Sequence, residues 1–376
     1  MRPSRTRARF GAAVATVAAA AAIAVAPAAP AGAQPPTLPA PNSHGITLVS
    51  PLSQVGGEPR LVDATLRTEA ILTPRGVTTP ANVSVPVKVR ILLPEGYDPN
   101  RAAPYDVLYL LHGGGGTWQD WSTGGDVIDT IEAADADFDG IVVMPEGGRA
   151  GWYSDWPGKT DGNFAPRWET FHVGQLVPWI DANFNTSGTR SGRAIAGLSM
   201  GGYGALRYAG RYPQLFGAVG AFSAGTDIRP VAAQETISNS MWQAGAAIDL
   251  TGILDGKFRV NPPWFSGIDA REYRMNAVFG PVAGRAAVNP AQMASAYGAY
   301  DGNVALYAGG LDGNGGETDI GYWSSQFHTT LDQAGVDHRW CGGSGGHDFA
   351  SWKLYLTDFV DYAYGTATAG SDCPNR

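Results

Sequence analysis

Two stretches of this chain are apolar almost without interruption. They are residues 105–111 (Tyr-Asp-Val-Leu-Tyr-Leu-Leu) and 140–145 (Gly-Ile-Val-Val-Met-Pro). Such runs belong to central parallel strands buried on both faces. Earlier, residues 61–70 and 83–93 alternate apolar and polar positions, as half-exposed antiparallel strands do. Further strands are predicted at 193–196, 216–223 and 304–309, with a last one opening at His338-Arg339-Trp340-Cys341. Helical patterns fall between them, at 126–134, 170–184, 202–209, 324–334 and 355–364. Strand and helix alternate from Tyr105 onward, which predicts an α/β fold with a mostly parallel central sheet and helices on both faces. Residues 226–299 break the alternation. They read as an irregular insertion carrying Trp242, Trp264, Phe265 and Tyr273, long enough to cover a site. Residues 34–60 are rich in proline, glycine and serine and predict a lead-in with little structure, followed by one domain over 61–376.

The first 33 residues change the picture of where the chain works. Arg2, Arg5, Arg7 and Arg9 precede an alanine-dominated apolar run, and Ala31-Gly32-Ala33 is a small-x-small cleavage site. That is the layout of a secretory signal peptide, with Gln34 as the new N-terminus and no transmembrane anchor left after cleavage. The net charge of the whole chain is −8, and losing those arginines makes the rest more acidic. No basic cluster offsets it, which argues against nucleic acid as a partner. The two cysteines, Cys341 and Cys373, predict one disulfide in an exported protein, tying the tail to a segment shortly before His347.

The chemistry centres on Gly197-Leu198-Ser199-Met200-Gly201. A serine in G-x-S-x-G between a buried strand and a small-residue helix is the nucleophile elbow of the α/β-hydrolase fold. The turn strains the backbone and leaves no room for Cβ atoms on either side, hence the glycines. It also sets Ser199 at a helix N-terminus, where free N–H groups and the positive end of the dipole favour a developing anion. A serine nucleophile needs a base, and the base an orienting acid, in the chain order Ser, acid, His. Of six histidines, only His347 lies in a loop after the last strand, in Gly345-Gly346-His347-Asp348. The acid should fall between the 304–309 strand and the next helix, where Asp319, Glu317 and Asp312 stand. Asp319 ranks first by its place near the helix start, Glu317 second and Asp312 third. The N–H of Met200 supplies one oxyanion donor, and the glycine loop His112-Gly113-Gly114-Gly115-Gly116 after a central strand supplies the other. The 312–317 segment lacks the ligand spacing of a calcium loop, so no metal or cofactor is implied.

Longer motifs add a resemblance. Leu110-Leu111-His112-Gly113-Gly114, the elbow, and Gly345-Gly346-His347-Asp348 followed by Trp352 resemble the esterase D/feruloyl esterase family of α/β-hydrolases. Met144-Pro145-Glu146-Gly147-Gly148, Trp152-Tyr153-Ser154-Asp155-Trp156, Trp168-Glu169-Thr170-Phe171 and Asn276-Ala277-Val278-Phe279-Gly280-Pro281 resemble its secreted mycolyltransferase (antigen 85) branch in actinobacteria. The resemblance implies Ser199 as nucleophile, His347 as base, and Gly114 with Met200 as oxyanion donors. Mycolyltransferases carry an aspartate and an arginine in the oxyanion loop that help hold trehalose; His112 and Gly115 stand at those places here. Their elbow has alanine where this chain has Gly201, and their acid sits further into the following helix, where residues 325–327 offer no carboxylate. The expectation is a secreted serine esterase acting on a small-molecule, lipid or polymer ester. An acyltransferase on cell-envelope lipids or sugars is the alternative, and a non-catalytic binding protein on the same scaffold is a further one.

Overall fold

The computed structural model describes residues 35–72, 86–157, 166–246, 268–313, 317–365, 367–368 and 370–374. They belong to one compact unit, Gln34–Arg376. The expected signal peptide, Trp264 and Phe265 lie outside the described residues.

Among the described residues, ten strands form a single sheet. In chain order these are β1 (Ile46–Leu48), β2 (Ser53–Val55), β3 (Glu58–Thr68), β4 (Val87–Leu92), β5 (Val107–Leu111), β6 (Ile141–Pro145), β7 (Arg193–Leu198), β8 (Ala218–Phe222), β9 (Val304–Ala308) and β10 (Arg339–Gly342). The order across the sheet is β1-β3-β4-β6-β5-β7-β8-β9-β10, with β2 paired to β3. From β6 to β10 every pairing is parallel, while β1 to β4 are antiparallel and join through β4 and β6. The alternating and continuous hydrophobic patterns therefore separate into an antiparallel flank and a parallel centre. The lead-in is more ordered than its composition predicts: β1 and β2 fall within it and bond to the long strand β3.

Period-two alternation sends neighbouring side chains of β5 into different layers. Val107, Tyr109 and Leu111 join one buried cluster, with Trp179, Tyr203, Leu206 and Tyr208. Leu108 and Leu110 join the other, with Trp121, Tyr355, Leu356 and Phe359. The first layer holds α3 (Val177–Asn183) and α4 (Met200–Arg211); the second holds α1 (Asp120–Thr123), α2 (Val127–Glu132) and α8 (Phe349–Tyr364). Between β8 and β9 lie α5 (Val231–Ala246), α6 (Ile268–Phe279) and three 3₁₀ segments, so the insertion is largely helical where it is described. Helix α7 (Thr318–Gln333) starts six residues before its apolar periodicity does, and α8 likewise precedes its predicted start.

The helix predicted over 170–184 is divided. Thr170–Leu176 is a π-helical turn, with Val177 N–H donating to the carbonyl of His172, before α3 begins. Pro178 accounts for this, because its ring would clash with a carbonyl four residues back and it has no N–H to give. The turn buries His172, whose ring meets Tyr208 Oη at 2.9 Å and the Glu146 carbonyl at 2.8 Å. Burial pushes its pKa down to about 3, so the ring is a neutral structural bridge.

Just before this turn, Glu169 is buried against α4. Its carboxylate accepts from Arg207 at 2.6 Å, Arg211 at 2.6 Å and Tyr212 Oη at 2.7 Å. Burial acts to raise the Glu169 pKa, and the charges of Arg207 and Arg211 with the hydrogen bonds from Arg207 and Tyr212 together outweigh it, holding the pKa below the usual range. This cluster fixes the helix that follows the elbow. Glu169→Gln leaves a buried guanidinium without its counter-charge and is expected to lower unfolding free energy by about 3–5 kcal/mol. Urea unfolding measures this, and a loss below about 1 kcal/mol would show that the cluster does not anchor α4.

Candidate active site

Five adjacent parallel strands, β5, β7, β8, β9 and β10, end on the same edge of the sheet. Each is followed by one part of the candidate site. The glycine loop follows β5, Ser199 follows β7, Ser223 follows β8, Glu317 follows β9 and His347 follows β10. In open α/β sheets this carboxyl edge is where ligand crevices form.

Ser199 sits between β7 and α4 with φ 53° and ψ −117°, a conformation that L-residues rarely adopt. Its N–H donates to the Phe222 carbonyl at 2.8 Å, and its carbonyl accepts from Tyr203 at 3.1 Å, opening the helix. The neighbours are glycines for want of space. A Cβ on Gly197 would stand 2.5 Å from the backbone of Gly201, and one on Gly201 would stand 2.6 Å from the carbonyl carbon of Leu111. Leu198 and Met200 are buried, whereas Ser199 is partly exposed.

The glycine loop lies against this turn. A Cβ on Gly113 would stand 3.5 Å from Ser199 Cβ, and one on Gly114 would be 3.9 Å from Met200 Cβ. Gly115 N–H donates to the Arg149 carbonyl at 2.6 Å, and Gly116 N–H to Gly113 at 3.2 Å. Among the described residues, the N–H groups of Gly114 and Met200 make no hydrogen bond, and Gly114 is exposed. His112 holds the loop from below. Its Nδ1 meets the Gly113 carbonyl at 2.8 Å, Gly147 N–H donates to its Nε2 at 2.9 Å, and Tyr153 Oη donates to its carbonyl at 2.8 Å. The sequence dismisses His112 as a base; the structure makes it the buried clamp between the glycine loop and the Gly147 turn.

The loops after β9 and β10 are zipped together. Gly310 N–H donates to Gly345, Leu311 N–H to Gly343 and Gly343 N–H to Ala308. Glu317 and His347 therefore belong to one paired unit. Glu317 is fully buried and accepts from Gly309 N–H at 3.3 Å and from the Ser223 hydroxyl, while its Oε2 has no partner. Ser223 also accepts from Trp352 Nε1 at 3.0 Å. The Trp352 ring packs edge-on against His347, 4.9 Å between centroids. His347 Nδ1 is itself buried and without a hydrogen-bond partner. Burial lowers the His347 pKa, against the nearby charge of Asp348, which keeps the imidazole neutral. Asp348 caps α8, accepting from Ser351 N–H at 3.0 Å.

The three carboxylates ranked from sequence are sorted by this arrangement. Asp319 is exposed in the first turn of α7, and Asp312 is exposed in the loop before it. Of the three, Glu317 alone is buried. Asp319 ranked first because the helix appeared to begin near Ser324; with α7 starting at Thr318, Glu317 takes the N-cap and Asp319 faces solvent. Ser223 and Trp352 carried no catalytic pattern of their own. The usable signals were a serine closing the β8 run and a tryptophan five residues after His347.

Cys341 and Cys373 form a disulfide with Cα atoms 5.4 Å apart. Beside it, the buried Arg339 guanidinium grips Asp358 and the carbonyls of Thr368, Ser371 and Asp372. Tail and strand β10 are thus fixed to each other just before the His347 loop.

A family model described as "Putative esterase" matches residues 81–362. The chain belongs to this esterase family. Among curated relatives, esterase Rv1288 of Mycobacterium tuberculosis is 46% identical over 144 residues, 38% of this chain and 30% of that protein. The diacylglycerol acyltransferase/mycolyltransferase Ag85B of Mycobacterium leprae is 37% identical over 116 residues, 30% of this chain and 35% of that protein. The matched region thus spans about a third of these relatives. Among solved structures, a ferulic acid esterase superposes with a TM-score of 0.51 at 24% identity, covering 81% of this chain and 97% of that one. The shared architecture is the α/β-hydrolase fold. Among the described residues, no helix is long and apolar enough to cross a membrane.

Burial raises the Glu317 pKa to about 7, against the hydrogen bonds from Ser223 and Gly309 that lower it. The folded chain therefore keeps a proton that the unfolded chain releases near 4.5. That contribution to stability is full below about 4.5 and is lost as pH rises through about 7. Glu317→Gln stays neutral throughout, so its melting temperature relative to the parent should improve between pH 5 and pH 8. Melting curves at the two values test this, and a difference that does not change with pH would overturn it.

Proposed function

We propose that this chain is an exported serine hydrolase that cleaves carboxylic esters through an acyl-enzyme on Ser199. The observation that carries the reading is the strained Ser199 turn at the start of α4, beside two unengaged amides, Gly114 and Met200. Ser199 Oγ attacks the ester carbonyl while its proton passes to His347 Nε2. The carbonyl oxygen becomes an anion held by the Gly114 and Met200 N–H groups. Collapse breaks the ester bond, and His347 returns the proton to the departing alcohol. Water then enters, gives its proton to His347 and releases the acid, restoring Ser199.

Glu317 is the orienting acid of this reading. It is the buried carboxylate of the β9–α7 segment, and its free Oε2 matches a free, buried Nδ1 on His347. Both groups also feel the charge of Asp348. An ionised Glu317 receiving Nδ1–H holds the ring in the tautomer that leaves Nε2 open to Ser199. Export follows from the leader over residues 1–33, with Gln34 as the new N-terminus. The Cys341–Cys373 bond fits an oxidising compartment. The relation to a diacylglycerol acyltransferase/mycolyltransferase favours acyl transfer as the second reading, with a sugar hydroxyl as one acceptor. Against it, His112 is occupied on both ring nitrogens by backbone, and Gly115 has no side chain to offer a sugar.

Ser199→Ala should lose fluorophosphonate labelling and slow ester hydrolysis by about 10⁴-fold or more. Glu317→Gln should slow turnover by up to about 10⁴-fold while Asp319→Asn stays near the parent rate. A panel of chromogenic esters, run with and without trehalose, separates the readings. Hydrolysis unaffected by trehalose supports the hydrolase; acylated trehalose as the main product replaces it with the transferase. Retained labelling of Ser199→Ala would refute the nucleophile.

A further inference from the structure

Three groups outside the crevice meet where α7 runs into β10. His328 and Asp332 lie one turn apart on α7, and His338 stands just before β10. One nitrogen from each imidazole and one Asp332 oxygen all lie within 4.8 Å of one another. The proposed mechanism uses none of them.

The connection between the elements creates this approach. Gly335 has φ 68°, and its N–H donates to the Asp332 carbonyl at 3.0 Å, while Val336 N–H reaches Leu331 at 3.0 Å. The chain reverses at once and brings His338 back over the last turn of α7. There His338 Nδ1 meets the Val336 carbonyl at 2.8 Å, which makes Nδ1 the donor and leaves a lone pair on Nε2. That lone pair faces His328 Nδ1 at 2.8 Å. The His328 ring is stacked on Trp340, 5.3 Å between centroids and 14° from parallel, which fixes its plane. Its Nε2 lies 3.5 Å from Asp332 Oδ2.

We propose that His328, Asp332 and His338 form a surface site for a divalent transition-metal ion of the zinc class, distinct from the Ser199 crevice. Two imidazoles with one carboxylate are a donor set that suits zinc, copper or nickel and disfavours calcium and magnesium. A backbone carbonyl holding the far nitrogen of a liganding histidine is the usual second partner in such sites, and Val336 supplies it. The geometry needs little change. Zinc–nitrogen bonds of about 2.0–2.1 Å in a tetrahedron place two donors roughly 3.3 Å apart, so the rings part by about half an ångström. The metal takes the place of the proton now between the rings. That proton leaves His328 Nδ1, either to solvent or to Nε2 beside Asp332. Asp332 is more than half exposed, free to turn toward the ion, and water fills the open position.

Isothermal titration of untagged full-length protein with zinc chloride tests this, alongside melting curves in zinc and in EDTA. The expected result is one equivalent bound with a rise in melting temperature, and no response to magnesium or calcium chloride. His338→Gln and His328→Asn should each weaken zinc binding by at least ~10-fold and remove the rise. If either variant melts early in EDTA, the exposed Asp332→Asn carries the test, with zinc binding weaker than in the parent. Zinc bound equally by parent and all three variants would overturn the site, and so would the absence of binding at ~1 mM zinc.

Discussion

The site depends on one close approach of backbone to backbone. The elbow after β7 presses on the end of β5 so tightly that neither Gly197 nor Gly201 has room for a Cβ. This contact does two things at once. It forces the strained backbone of Ser199 that lifts the side chain off the sheet. It also brings the Gly113–Gly114 loop alongside Met200. The strain is held by what surrounds it: the Ser199 N–H bonded to β8, the Glu169 cluster under α4, and the His112 clamp under the loop. An alanine at position 201 would push β5 and β7 apart before it altered any reacting group.

The opposite wall of the crevice is built on the reverse principle, leaving polar groups underused. Glu317 Oε2 and His347 Nδ1 are buried without partners, an arrangement that lowers stability for each group. The loops that carry them are nevertheless tied together. Backbone bonds zip the two loops, Ser223 reaches Glu317, and Trp352 spans from Ser223 to His347. Two unsatisfied groups therefore lie on one pair of bonded loops.

Much of this was legible in the sequence because it rests on steric necessity. Glycines around Ser199, a glycine run after an apolar strand, and a histidine after the last strand follow from backbone geometry that few residues satisfy. The burial of Glu317 rather than Asp319 was not legible in the same way. Asp319 and Glu317 differ by two positions, and the side facing the crevice depends on where α7 begins. Apolar periodicity starts only at Ser324, because the first turn of α7 packs on the Gly309 loop and has no apolar stripe to show. The short strands β1 and β2 escaped for a related reason: each pairs with β3 through backbone bonds over three residues, too few for a pattern. The π turn at 170–176 was signalled only by Pro178, which a periodic reading treats as a helix interrupted rather than widened.

Strand β10 and helix α7 serve the site from both ends. Their inner ends carry His347 and Glu317, and their outer ends meet at the His328–His338 contact. Between these, the Arg339 guanidinium and the Cys341–Cys373 bond fasten the tail to β10. Phe327 and Leu331 of α7 pack into the core on the sheet side. On the solvent side, the Gly335 turn joins the two outer ends, and the imidazole contact lies across it. Whatever occupies the space between those rings bears on the junction of α7 and β10.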